Sequence, residues 1–279
     1  MLKFLGTGAG EGTPDPFCTC KVCENARKVG GKEIRERSFF MADDILLDPG
    51  NDYFSQCAKY GLRMSDFRNI LISHTHSDHF CPDMIWERFA ARAGLGNELN
   101  ICLSHAALRF FEERYPIIGD RAWLNGINLR VLETGQSYEI GSWKVTPLCG
   151  RHSTGFERNS FNYILEKPGI KLYYAIDSGY YLDETFEALE NAKLDVLIME
   201  CTNPIIDHRV SGKNDGHMDY FTALECLDEL YKRSAITAST RVYFTHISPN
   251  TYTHAKFSSH LETLTLPYRI EAAYDGMEI

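Results

Sequence analysis

The stretch His74-Thr75-His76-Ser77-Asp78-His79 places three imidazoles and a carboxylate in six residues. Neutral histidine nitrogens and carboxylate oxygens are the usual ligands of zinc, manganese and iron. Residues two apart in an extended segment face the same way, so His74 and His76 address one point. Asp78 and His79 follow where the chain turns, and they reach a second point nearby. The six residues therefore suit two adjacent metal ions. Just upstream, Asn69-Ile70-Leu71-Ile72-Ser73 reads as a buried strand that delivers the histidines at its C-terminal end. Open α/β sheets hold their ligands at that end.

Catalytic metals need further ligands, and three later strand ends offer them. "CGRHS" carries His152, "YYAIDSG" carries Asp177 and "YFTHIS" carries His246. Each sits where an apolar or aromatic strand stops. A buried carboxylate directly after Leu172-Tyr173-Tyr174-Ala175-Ile176 is costly unless it is paired or bound to a metal. Upstream, "DDILLDPG" (43–50) reads as a strand ending in a turn, with Asp48 at its tip.

The pattern extends over the whole chain. "MLKFLGTG" reads as a strand running into a glycine turn. Helical spacing marks 83–95 and 106–115, then "LDETFEALENA", "DYFTALECLDELYKRS" and "SSHLETL". Strands are expected in "INLRVLE", "SYEIGSWKVTPLCG", "NSFNYILEKPGIKLYYAID", "LDVLIMECT", "TRVYFTHIS" and "YRIEAAYDG", with Lys167-Pro168-Gly169 as a hairpin turn. No repeat period and no low-complexity linker interrupts them. The reading is one α/β domain over residues 1–279, a two-sheet core flanked by helices.

Composition narrows the partners. The chain of 279 residues is 44% hydrophobic, enough for a sizeable core. Its net charge of −9 opposes a protein that grips long nucleic acid through its phosphates. No apolar run reaches the length of a membrane span, and the N-terminus reads as a strand rather than a signal peptide. Nine cysteines in no regular framework fit a reduced, cytoplasmic chain. A homodimer is the default assembly.

"HTHSDH" matches the HxHxDH signature of the metallo-β-lactamase-fold hydrolases. The resemblance covers nearly the whole chain, from "FLGTGAGEGTP" and "LLDPG" to the closing "AYDG". It implies an αβ/βα four-layer sandwich with the site at one edge. By the family pattern, His74, His76 and His152 hold one metal, Asp78, His79 and His246 the other, and Asp177 bridges them. Asp48 would tether the histidine loop. Two such ions can share a nucleophilic water and clamp the oxygens of a displaced group. Zinc or manganese suits these ligands, and iron is a third choice.

"DGHMD" sets His217 just ahead of a helix. In the phosphodiesterase branch, which holds the transfer-RNA 3′-end nucleases and the phosphoribosyl cyclic phosphodiesterase, a histidine in this setting acts on the scissile phosphate. The resemblance therefore makes His217 catalytic, with Asp78 beside it. His208 is read as loop.

Cys18, Cys20 and Cys23 form CxCxxC, three soft ligands in six residues that suit a structural zinc. Relatives with this insertion complete the site with a histidine three residues after the last catalytic histidine. Here that position is Pro249, and His254 is the substitute expected from a neighbouring loop. The basic, glycine-rich arm of the transfer-RNA enzymes is absent from the sequence, so a small phosphodiester, cyclic or nucleotide-like, is the expected substrate. Arg151, Arg158 and Arg209 are candidate phosphate or sugar contacts, and Trp86 and Arg88 candidate pocket walls. Two rival readings stand beside this one. One is a lactone or thioester hydrolase; the other is a non-catalytic carrier resembling the pyrroloquinoline-quinone biosynthesis protein.

Overall fold

Residues 1–91, 98–114, 126–250 and 252–279 are described by a computed structural model. The first half builds a six-stranded sheet, in spatial and chain order β1 (Leu2–Gly6), β2 (Phe39–Ala42), β3 (Ile45–Leu47), β4 (Asn69–Leu71), β5 (Leu99–Leu103) and β6 (Ile127–Val131). Its first three strands pair antiparallel and the rest parallel. The second half builds a seven-stranded sheet from β7 (Tyr138–Ile140), β8 (Trp143–Gly150), β9 (Ser160–Lys167), β10 (Ile170–Ala175), β11 (Val196–Glu200), β12 (Arg241–Thr245) and β13 (Arg269–Ala272). Here β7 to β10 form an antiparallel meander and β10 to β13 pair parallel.

The helices are α1 (Lys21–Val29), α2 (Tyr53–Tyr60), α3 (Asp83–Ala90), α4 (His105–Arg114), α5 (Asp183–Leu189), α6 (Tyr220–Lys232) and α7 (His254–Glu262). Three apolar clusters define four layers. Leu2, Phe4, Leu47 and Leu71 of the first sheet meet Tyr163, Leu172, Tyr174 and Ile198 of the second. Ile70, Ile101 and Leu103 turn the other way, onto Met84, Ile85 and Phe111 of α3 and α4. Tyr173, Ala175, Leu197 and Met199 likewise face α5, α6 and α7. Strands buried on both faces read as continuous apolar runs, and the alternation of faces appears only in three dimensions. No helix among the described residues is long and apolar enough to cross a membrane.

Several boundaries differ from the sequence reading. The strand before the histidines ends at Leu71, so Ile72 and Ser73 already belong to the loop. The helix expected at 83–95 is seen as Asp83–Ala90, its expected residues 92–95 lying outside the described residues; Tyr115 does too. The helix expected around "SSHLETL" starts earlier, at His254, capped by Thr253. Helices α1 and α2 and strands β2 and β5 were not foreseen. Cys20 caps α1 with its sulfur, not one of the usual Ser, Thr or Asp start residues; α2 does start at an Asp, Asp52, but its carboxylate accepts from the Arg37 backbone rather than capping the helix.

Candidate metal centre

Strands β3, β4, β8, β10, β11 and β12 end along one edge, and the polar residues just beyond them converge. Asp48 follows β3, His152 follows β8, Asp177 follows β10 and His246 follows β12. Asp48, Asp177 and His246 all adopt left-handed backbone, with φ of 57°, 49° and 56°. That region is unfavourable for L residues, and such strain clusters at functional sites. The reversal turns each side chain off the sheet edge.

Two ligand groups result. In the first, His76 Nδ1 lies 3.0 Å from His74 Nε2 and 3.1 Å from His152 Nε2. Asp177 Oδ2 stands 3.2 Å from His74 Nε2 and 3.4 Å from His152 Nε2. In the second, His79 Nε2 is 3.1 Å from Asp78 Oδ2 and 3.4 Å from His246 Nε2, while Asp177 Oδ1 is 2.9 Å from His246 Nε2. Asp177 belongs to both groups.

The hydrogen bonds behind the rings fix which nitrogen carries the proton. Ser73 Oγ donates to Asp48 Oδ2, so it accepts from His74 Nδ1 at 3.0 Å. His79 Nδ1 donates to Asp48 Oδ2 at 3.1 Å, and His152 Nδ1 donates to the Gly216 carbonyl at 3.1 Å. Thr202 Oγ1 gives its own proton to Glu200 Oε2 and accepts from His246 Nδ1 at 3.0 Å. When these rings are neutral, four Nε2 lone pairs therefore point inward. Asp177 Oδ1, although close to His246 Nε2, accepts no hydrogen bond and is buried. The His79 and His246 Nε2 lone pairs, facing one another at 3.4 Å, repel unless a cation lies between them. This donor set fits divalent metal ions.

The field agrees. Burial, then the neighbouring His79, pushes His74 down to about 4. Burial acts the same way on His246, but the Asp177 and Asp78 carboxylates outweigh it and lift His246 to about 10. His79 is raised against burial by Asp78 and Asp177. Burial opposes ionisation of Asp177 and Asp78, yet the surrounding imidazoles hold both well below the usual carboxylate range. Two buried carboxylates thus demand positive charge where the imidazoles meet.

His217 joins the centre from the segment before α6. Its ring stacks on that of His246 at 5.5 Å and 17°. Its Nδ1 lies 3.1 Å from Glu200 Oε2 and 3.8 Å from Asp177 Oδ1. Burial pulls His217 down, but Asp177 and Glu200 outweigh it and raise it to about 8. Glu200 was not foreseen. It is fully buried, accepts from the backbone N–H groups of Ser178, Gly179 and Met218, and is held ionised against burial by His217. Its sequence signal is a lone charge closing the apolar run Leu197-Ile198-Met199.

Asp48 stands as expected, accepting from Ser73 N, Ser73 Oγ, His79 and Tyr174. A second tether was missed. Buried Glu157 accepts from the Thr75 backbone at 3.0 Å and the Thr75 hydroxyl at 2.6 Å, with Thr154 beside them. Gly50 lies so close to the backbone of Asp78 that a Cβ there would collide with it. A cavity of about 410 Å³ opens over the centre, with His76, Asp78, Asp177, His217 and His246 at its base and Glu11, Asn203 and Asn250 among its walls.

Other candidates lie elsewhere. The sulfurs of Cys18, Cys20 and Cys23 do converge, all within 4.8 Å, and Cys20 Sγ also meets the Pro249 carbonyl at 3.5 Å. His254 is not with them, which corrects its expected role. It heads α7, where Nδ1 accepts from Arg35 at 2.9 Å and Nε2 faces Ser258. Arg209 is turned onto Thr222 and Glu225, Arg151 donates to the Tyr180 carbonyl, and Arg88 donates to the Gly126 carbonyl. Arg158 is exposed and Trp86 half exposed; neither they nor the other three line the cavity. His208 pairs with exposed Asp207.

Known proteins share this arrangement of strands. The model of the beta-lactamase superfamily domain matches residues 43–247. The crystal structure of a new diphosphatase from the PhnP family superposes with a TM-score of 0.72 at 19% identity, covering 99% of this chain and 95% of that one. Zinc-bound PqqB from Methylobacterium extorquens gives 0.71 at 16% identity, covering 99% and 98%. Human tRNase Z, short form, gives 0.63 at 17% identity, covering 99% and 97%. No curated protein matches the sequence.

Proposed function

The chain belongs to the beta-lactamase superfamily, and from that premise we propose that it is a dinuclear metal-dependent phosphodiesterase acting on a small phosphodiester, cyclic or nucleotide-like. One observation carries the reading: two ligand groups share Asp177, and the same carboxylate forms a further group with Glu200, His217 and His246. In this reading His74, His76 and His152 hold one divalent ion, Asp78, His79 and His246 the other, and Asp177 both. Zinc or manganese suits the set, with iron as the third choice.

Two such ions, when bound, would polarise the phosphoryl oxygens and bring the pKa of a water to about 7. The chain's own residues do the rest. Asp48 and Glu157 keep the histidine loop in place, so the inward nitrogens are aimed before any ligand arrives. Glu200 holds the proton on His217 Nδ1 and orients the ring. His217 Nε2 makes no hydrogen bond among the described residues. It is the nitrogen available to protonate the leaving oxygen or to hold a phosphate oxygen. Two of the similar structures are of a diphosphatase and a tRNase, names that denote cleavage at phosphorus. The net charge of −9 favours a small ester over a long nucleic acid.

The test is steady-state hydrolysis of bis(p-nitrophenyl) phosphate by protein reloaded with zinc or manganese, beside a lactone. Phosphodiester turnover with a silent lactone is expected. Lactone turnover alone would replace the phosphodiesterase with an acyl hydrolase on the same centre. Silence on both substrates would favour a non-catalytic carrier.

A further inference from the structure

We infer that Glu11 sets substrate specificity. It favours phosphodiesters whose ester group is neutral and bears hydroxyls, such as a sugar or polyol, and disfavours those carrying a second phosphate. The inference rests on the phosphodiester reading of the centre and goes on to what surrounds the reacting phosphate.

Glu11 stands at the corner of a turn closed by the Gly12 N–H on the Ala9 carbonyl at 2.8 Å. The turn is anchored rather than loose. Ala9 N donates to the Ile247 carbonyl, and Gly8 bridges both Ile247, next to His246, and Arg37. Gly10 rests on the Asp78 carboxylate; a Cβ there would sit 3.2 Å from Asp78 Oδ2. The main chain that carries Glu11 is thus packed directly against the ligand groups, and Glu11 lines the cavity over them.

Glu11 is exposed to solvent, and no ion pair or hydrogen bond occupies its side chain among the described residues. An ionised carboxylate only accepts hydrogen bonds, while the amides of Asn203 and Asn250, which line the same cavity, both donate and accept. A hydroxyl can give its proton to Glu11 and take one from an amide. A phosphate can give none at neutral pH, and it meets a like charge there. The discrimination is electrostatic and partly screened, so an effect on the order of tenfold is expected.

The experiment measures binding to the metal-loaded protein by calorimetry, with uridine 3′-phosphate and uridine 3′,5′-bisphosphate as the pair. They differ only by the second phosphate. The wild-type protein is expected to bind the monophosphate about tenfold more tightly. Glu11→Gln should bring the two close to equality, and Glu11→Lys should reverse the order, with metal content unchanged in both. Equal binding by the wild type, a preference unchanged in Glu11→Gln, or failure of the monophosphate to bind would overturn the inference. Turnover of bis(p-nitrophenyl) phosphate is measured on the same preparations. Its persistence would show that specificity, not the phosphodiester reading, had failed; its absence would remove that reading itself.

Discussion

Asp177 and His217 sit 3.8 Å apart, yet substitution should separate them by metal content. Asp177 completes both ligand groups, and its backbone is held at a φ that few side chains adopt. Asp177→Ala is expected to lose bound metal and turnover together; metal retained at the wild-type level would contradict the shared-ligand role. His217 lies outside the two groups of three donors that share Asp177. His217→Ala should keep the metal content and lower kcat for a phosphodiester by about 10²–10⁴-fold, the usual scale for a general acid. An unchanged rate would return His217 to a structural part. At this scale the sequence was legible wherever chemistry is local. Five histidines and two aspartates identify themselves because each follows an apolar strand, and an apolar strand has little other reason to end in a ligand.

The elements show where local signals fall short. The stretch 254–262 looked like loop at its start, so His254 was read as a spare ligand for the cysteines. In the fold Thr253 caps α7, the carboxylate of Glu33 accepts from the first N–H groups, and Arg35 donates to His254. Burial first, then Arg35 and Lys32, pushes His254 down to about 3. The unfolded chain holds this imidazole near 6.5. A depressed folded pKa gives stability that is complete above about 6.5 and is lost as pH falls toward about 3. Urea midpoints at pH 7.5 and pH 5 should therefore fall more for the wild type than for His254→Gln. Parallel slopes for the two proteins would show that His254 is not buried in neutral form. Helix α1 teaches the same lesson from the other side. Its cap is a cysteine sulfur, so its start was hidden inside a motif read as a metal site.

Across the whole molecule the centre joins the two halves. His74, His76, Asp78 and His79 come from the first sheet, and His152, Asp177, Glu200 and His246 from the second. Phe161 N also bonds the Ser73 carbonyl across the same edge. Ions held there would bind the folded chain and not the unfolded one. At metal concentrations of 100 to 1,000 times Kd, that linkage adds about 3–4 kcal/mol. Stripping the metal with a chelator is therefore expected to lower Tm by roughly 5–15 °C, and zinc or manganese should restore it. Calorimetric scans that superpose with and without chelator would show that the centre does not hold metal in the folded protein.

The sequence by itself determined a two-sheet core flanked by helices and the identities of the candidate ligands. Strand ends, apolar runs and ligand chemistry are properties of a few adjacent residues, and they survive without knowledge of the fold. Only the tertiary structure decided what supports and surrounds those ligands. Glu157 meets Thr75 across 82 positions, Glu200 meets His217 across 17, and Arg35 meets His254 across 219. A carboxylate or guanidinium carries no local mark of the partner that will bury it. Its role appears when folding removes it from water and leaves one hydrogen-bond geometry able to repay the loss.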